Sequence, residues 1–148
     1  MSFYGEMEDA VDYFENERFD SEAWDDASES DRTVALTHAT NAIDNLNLIG
    51  TKAVSTQVLQ FPRLGQTAVP RAVLIATWES ALALLDGVNI EEELNGVQIV
   101  SERISDAATT YDRNFALAHF NAGIPSATAW RYIQRYVSKS RSLRLHRV

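Results

Sequence analysis

The stretch from Pro62 to Leu85 limits most strongly how this chain can fold. Pro62 and Pro70 fix the backbone of a loop, and an arginine follows each proline. Pro70 also suits the first turn of a helix, where its missing N–H costs nothing. Apolar residues then recur at helical spacing, which predicts the buried stripe of a helix: Leu74, Trp78, Ala81, Leu82 and Leu85. A rigid loop is therefore expected to lead straight into a core helix.

Helical spacing recurs in three further segments of the chain. Residues 3–15 have an amphipathic pattern. A second helix is expected to run to about Leu46, with Ser30 or Asp31 as its N-cap. The last helix is expected to start at Ser126. The sequence thus predicts a mainly α fold, a small bundle of about four helices with long extended loops and a free basic C-terminal tail.

Other stretches favour extended backbone or a separate tail. Residues 51–61 are β-branched and roughly alternating, which indicates an extended segment or a short hairpin. Residues 97–112 favour extended structure as well. The expected organisation is a helical domain over residues 1–137, followed by a basic docking tail over residues 138–148.

Charge is distributed unevenly along the 148 residues, whose formal net charge is −8. Residues 1–31 contain twelve Asp or Glu and one Arg, whereas residues 131–148 contain six Lys or Arg and no acid. Both ends could simply be solvated, or each could face a different partner. The basic end could neutralise DNA phosphates, but only Tyr132 and Tyr136 could supply stacking there. The net negative charge opposes DNA, and an acidic protein groove fits the basic end equally well.

Signals for chemistry are weak throughout the sequence. There is no cysteine, and His38, His119 and His146 stand in no metal-ligand spacing. No G-x-S-x-G motif is present. We therefore expect a non-enzymatic protein without catalytic residues, metal or cofactor. The acidic start is unlike a signal peptide, and the apolar run 72–78 is too short for a membrane span, so a soluble intracellular protein without a membrane partner is expected.

One pair of opposite charges is expected to act structurally. Asp44 on the second helix and Arg63 in the proline-containing loop could form a buried ion pair. Such a pair would fasten the loop to the helical bundle.

Several motifs together resemble the head–tail adaptor proteins of tailed bacteriophages, also called connector or head-completion proteins. The resemblance covers about residues 4–112, and its strength lies in the order and spacing of the motifs. The positions that carry it are Trp24, Ala27, Ala35, Leu36, Ala39, Thr40, Ile43, Asp44, Gly50, Gln57, Leu59, Phe61, Pro62, Arg63, Pro70, Val73, Ala76, Glu79 and Ala81.

This resemblance implies a structural virion protein at the portal vertex of the capsid. Its copies would form a ring, usually twelve-fold, between the portal protein and a downstream tail or neck protein. DNA would pass through the lumen without specific binding, past the acidic N-terminal end. The implied structural anchors of the loop are Asp44, Phe61, Pro62, Arg63 and Pro70. The implied portal-docking residues are Arg141, Leu143, Arg144, Leu145, Arg147 and Val148.

An alternative function follows from the same relatives. Some of them are likened to a primosomal single-stranded-DNA-binding protein. The alternative is therefore a small accessory protein that binds single-stranded DNA.

Overall fold

The computed structural model describes residues 2–95 and 118–139. The segment 97–112, for which extended structure is expected, lies outside these residues. So does most of the basic tail, residues 140–148, with all six of the expected docking residues.

The described part of the chain is mainly helical, which confirms the predicted fold class. Residues 90–95 are also helical at the edge of the described part. No β-strand occurs within the described ranges, where only two isolated bridges pair extended backbone. The helices are α1 (Met7–Asn16), α2 (Glu22–Asp25), α3 (Glu29–Asp44), α4 (Arg71–Leu85), α5 (Ala118–Asn121), α6 (Ala127–Ile133) and a 3₁₀-helix (Gln134–Tyr136).

The N-terminus of α3 differs from the prediction. The helix begins at Glu29, and its N-cap is Ser28 instead of Ser30 or Asp31. Ser28 Oγ accepts a hydrogen bond from Asp31 N at 3.1 Å and donates one to Asp31 Oδ2 at 2.6 Å. The run Ser-Glu-Ser-Asp offers several capping side chains, and the pairing of Ser28 with Asp31 selects the earliest start.

Substitution Ser28→Ala is expected to lower the free energy of unfolding by about 1 kcal/mol, because it removes the acceptor for a free helix N–H. Ser30→Ala is the matched control, since Ser30 is exposed within the first turn of α3. Alanine favours helix, so the control is expected to leave stability unchanged or slightly higher. Urea denaturation measures both, and equal effects of the two substitutions would contradict the assignment of the cap.

Helix α4 is the centre of the fold and packs against α2, α3 and α6. Its burial exceeds the predicted single stripe, because every residue from Ile75 to Leu82 is buried. A helix buried on all sides must accommodate its polar side chains inside the core. Thr77 does so by donating a hydrogen bond from Oγ1 to Val73 O at 2.9 Å.

Two hydrophobic clusters form along α4. The first joins α4 to α1, α2 and α3, and Trp24 and Trp78 are its largest buried side chains. The second lies towards the other end of α4 and joins it to Ile43 of α3, Phe61 of the connecting loop and Ile133 of α6. The loop between α3 and α4 is therefore part of the core and has a fixed position on the bundle.

The last described segment returns to the start of this loop. Ser126 caps α6 by accepting a hydrogen bond from Ala129 N at 3.1 Å. After the 3₁₀-helix, Val137 forms an antiparallel bridge with Leu48. Ile49 N donates to Tyr136 O at 2.8 Å, and Ser138 N donates to Asn47 O at 2.7 Å. The chain that leads into the basic tail is thereby fastened beside the loop.

Candidate nucleic-acid interface

Residues 45–70, here called the proline loop, connect α3 to α4. An antiparallel bridge joins Lys52 to Arg63. Next to this bridge, Ala53 N donates a hydrogen bond to Pro62 O at 2.9 Å, and Leu64 N donates to Thr51 O at 3.2 Å. These contacts make a narrow hairpin-like turn without a regular strand.

Arg63 is the centre of the proline loop. Its side chain is only 6% exposed. The guanidinium donates hydrogen bonds to Ile49 O at 3.1 Å, Gly50 O at 2.5 Å and Gln60 Oε1 at 2.7 Å. One buried cation therefore holds residues 49–50 against residues 60–63 of the loop, and most of its acceptors are backbone carbonyls.

The expected direct ion pair between Asp44 and Arg63 is not formed. Asp44 instead accepts hydrogen bonds from the Tyr4 hydroxyl and, at 3.3 Å, from Gln60 N. Gln60 thus lies between the two charges, because its backbone contacts Asp44 while its side chain contacts Arg63. Burial raises the pKa of the Asp44 carboxyl, and the hydrogen bonds from Tyr4 and Gln60 oppose that shift.

The other expected anchors also lie where the loop meets the bundle. Phe61 is buried and packs edge-on against the rings of Tyr4 and Tyr136, with centroid distances of 6.0 and 5.1 Å. Pro62 O accepts a hydrogen bond from Gln57 Nε2 at 3.0 Å. Pro70 is the N-cap residue of α4, one position before the expected first turn. Any functional role of these residues stays a prediction.

A second polar network lies inside the bundle, where sequence analysis predicted none. Glu79 of α4 is 2% exposed and accepts hydrogen bonds from Tyr13 Oη at 2.7 Å and from Arg18 Nε at 2.8 Å. Burial, followed by the hydrogen bond to Glu79, raises the pKa of the Tyr13 phenol. This arrangement satisfies a buried carboxylate and stabilises the packing of α1 on α4.

Three exposed cations form a row on the last described segment. Arg131, Arg135 and Lys139, here called the basic row, follow one another at intervals of four residues. None of the three makes a hydrogen bond or an ion pair to another described residue. Their regular spacing is visible in the sequence, but the residues expected to dock on a partner lie after them, at positions 141–148.

The remaining cations of the described part are engaged elsewhere. Arg18 pairs with Glu79, and Arg71 pairs with Glu17. Arg32 donates to the carbonyls of Trp24 and Asp25, and its guanidinium lies over the Trp24 ring. The basic row is therefore the group of exposed cations best placed to meet an external anion.

The acidic end of the chain forms a separate surface. All twelve acidic residues between positions 6 and 31 are exposed on and around α1, α2 and the start of α3. The two tyrosines considered for base stacking have other roles, because Tyr132 packs on both hydrophobic clusters and Tyr136 packs on Phe61. No ring on the segment of the basic row is free for stacking among the residues described.

Motifs for other functions are not visible in the described ranges. Within residues 2–95 and 118–139 there is no group of three or more His, Asp or Glu that could hold a metal ion. None of the helices described is long and apolar enough to cross a membrane. His38 is exposed, and burial lowers the pKa of the His119 imidazole.

These features define a small α-helical protein with an exposed acidic surface and a separate basic row. A family model described as "Putative DnaT-like ssDNA binding protein" matches residues 2–148. The chain belongs to this DnaT-like family. Comparison with curated proteins and with solved structures gave no match.

The family match overturns the assignment to the head–tail adaptors. The portal protein, the downstream tail or neck protein and the ring around a DNA lumen are therefore withdrawn as partners and assembly. The expected position at a capsid portal vertex had rested on the same resemblance.

The positions that carried this resemblance show why it misled. Most of them are buried: Trp24, Ala35, Leu36, Ala39, Thr40, Ile43, Phe61, Arg63, Val73, Ala76, Glu79 and Ala81. Buried positions specify how helices pack, whereas function resides in surface groups that the motifs do not contain. The family match instead supports the alternative that was drawn from the same relatives, an accessory protein that binds single-stranded DNA.

Proposed function

We propose that this protein is a non-enzymatic accessory protein that binds single-stranded DNA through the basic row and the cations that follow it. The observation that carries the proposal is the basic row: three exposed cations, four residues apart in the sequence, in an 18-residue segment that contains no acid. Membership of the DnaT-like family supports the choice of single-stranded DNA as the ligand.

The chemistry of the basic row suits the backbone of DNA. Arg and Lys neutralise phosphates and release condensed counterions, which gives affinity without dependence on base sequence. Arg131, Arg135 and Lys139 are followed by Arg141, Arg144 and Arg147, so that six cations are available in this segment. This series begins ten residues earlier than the six residues that were expected to dock on a portal protein, and it shares Arg141, Arg144 and Arg147 with them.

The net negative charge of the protein does not conflict with this function, because the acidic residues are concentrated elsewhere. The exposed acids of residues 6–31 repel phosphate, while the basic row attracts it. The two charged groups thus lie on different segments of the chain, and phosphate is attracted to the one that carries the basic row.

The expected result is binding with a strong dependence on salt. With six phosphate contacts, the slope of log K against log salt is about −4, so affinity for a fluorescein-labelled (dT)20 should fall roughly 300-fold between 50 and 200 mM NaCl. Replacing Arg131, Arg135 and Lys139 together with Gln should bring the slope to about −2. Fluorescence anisotropy measures both quantities.

Arg71→Gln is the control variant, because Arg71 is exposed but pairs with Glu17 beside the acidic surface. This variant should retain the slope of the wild-type protein. The proposed function would be overturned if the protein did not bind (dT)20 at 50 mM NaCl. It would also be overturned if Arg71→Gln reduced the salt slope by as much per removed charge as the triple variant does.

A further inference from the structure

The proline loop exposes apolar side chains on a fixed backbone. Val54, Val58 and Leu64 are 58, 82 and 50% exposed, and Ile49 is exposed as well. Single exposed apolar residues are common on protein surfaces, but here four occur within residues 49–64 of one loop, and together they are called the apolar patch. Such a patch indicates a binding surface.

This loop is held rigid by contacts that are unusual for an exposed turn. Besides the three bonds of Arg63, Gln57 donates from Nε2 to Leu59 O at 2.9 Å, and Lys52 Nζ donates to Gln57 O at 3.2 Å. Side-chain order is thereby established before any ligand arrives. A preorganised surface loses less entropy when it binds.

Leu64 gives a second, independent observation. Its φ is 55°, in the left-handed region that a leucine rarely occupies. Its side chain lies over Gly50, where a Cβ would come within 2.0 Å of Leu64 Cδ2. The loop therefore holds a half-exposed leucine in a strained conformation, and retained strain of this kind is concentrated at binding sites.

The surroundings of the patch favour a negatively charged ligand. No acid occurs between Asp44 and Glu79, so the proline loop carries no negative charge that would repel phosphate. The patch also adjoins the basic row, because Ile49 N is hydrogen-bonded to Tyr136 O and Leu48 is bridged to Val137. A strand whose phosphates contact Arg135 and Lys139 would pass directly beside Ile49.

We infer that the proline loop is the base-contacting half of the DNA site, where Ile49, Val54, Val58 and Leu64 pack against the faces of unstacked bases. This inference rests on the proposed function. Single-stranded DNA is the ligand that carries exposed apolar base faces and phosphates together, and apolar side chains accept every base because each has a π-face. The fixed loop backbone keeps those side chains in place.

The test compares two ligands of equal charge. Wild-type protein should bind (dT)20 about tenfold more tightly than an abasic 20-mer at the same salt concentration, because an abasic strand offers no base face for the apolar side chains to cover. Val54→Ser/Val58→Ser should reduce that preference to about twofold or less while it leaves the salt slope unchanged. Val34→Ser is the matched control, since Val34 is 53% exposed on α3, and it should keep the tenfold preference.

The outcomes separate this inference from the proposed function. If neither oligonucleotide binds, the proposed function fails. If both bind wild-type protein equally well, the function stands and the base-contacting loop is refuted. The base-contacting loop is also refuted if the Val54→Ser/Val58→Ser variant keeps its preference for (dT)20 over the abasic 20-mer. It is refuted as well if the substitutions change only the oligomeric state measured by sedimentation. Circular dichroism confirms that these surface variants are folded.

Discussion

Substitution Arg63→Ala is expected to lower the free energy of unfolding by about 3 kcal/mol, a large part of the stability of a domain of this size. The substitution removes charge-assisted hydrogen bonds to Ile49 O, Gly50 O and Gln60 Oε1. Each bond to a charged group contributes about 1.5–3 kcal/mol, and water that enters the opened loop offsets part of the loss. Urea denaturation of the full chain measures the change.

Two further variants test the same explanation. Arg63→Lys keeps the charge but lacks the planar fork, so it should recover only part of the lost stability. Arg131→Ala is the control, because Arg131 is exposed, and it should change stability by less than about 0.5 kcal/mol. Equal effects of Arg63→Ala and Arg131→Ala would show that the buried guanidinium does not hold the loop.

The helices could be predicted from the sequence because their signal is local. Apolar spacing is written into each segment, and it located α1, α3, α4 and α6 to within a few residues. The exact start of α3 could not be predicted, since Ser28, Ser30 and Asp31 are all competent caps. Only the hydrogen bonds between Ser28 and Asp31 decide among them.

The interior polar contacts could not be predicted, because their partners are far apart in the sequence. Glu79 interrupts an apolar run, and inside the core it pairs with Arg18 and accepts a hydrogen bond from Tyr13, both more than 60 residues earlier in the chain. Asp44 and Arg63 were expected to form a direct ion pair, which the structure replaces by contacts through Gln60. Their contact through Gln60 depends on the path of the loop backbone, which no residue pattern records.

The candidate site was only partly visible in the sequence. The charge count identified residues 131–148 as basic, but the row of Arg131, Arg135 and Lys139 needed the structure to show that these side chains are exposed. The exposure of the apolar side chains on the proline loop could not be predicted from the sequence either. Ile49, Val54, Val58 and Leu64 are apolar, and the sequence does not show that the loop leaves their side chains exposed.

Two buried phenols are expected to make the stability of the fold sensitive to alkaline pH. Tyr4 donates its hydroxyl proton to Asp44, and Tyr13 donates its own to Glu79. Burial, followed by the hydrogen bond to the carboxylate, raises the pKa of both phenols above the ordinary value of about 10. An ionised phenol would face a carboxylate in the folded protein, whereas it is freely solvated in the unfolded chain.

The sign of the effect follows from these raised pKa values. The stabilisation is complete below the pKa of an unfolded tyrosine, about 10, and is lost as the pH rises above it. Above pH 10 each phenol contributes a slope that approaches about 1.4 kcal/mol per pH unit. Tyr4 and Tyr13 together should therefore lower the free energy of unfolding by about 3 kcal/mol between pH 9 and pH 11. Urea denaturation at the two pH values measures this loss.

Single substitutions assign the loss to its source. Tyr4→Phe and Tyr13→Phe should each be less stable at pH 9, because a hydrogen bond to a carboxylate is missing. Each should then lose about 1.4 kcal/mol less than the wild-type protein on going to pH 11, because one titrating phenol is gone. Tyr136→Phe is the control, since it leaves both phenol–carboxylate bonds in place, and its loss should equal that of the wild-type protein. If Tyr4→Phe and Tyr13→Phe lose as much stability as this control, then the buried phenols do not limit the fold at high pH, and solvent must reach Asp44 and Glu79.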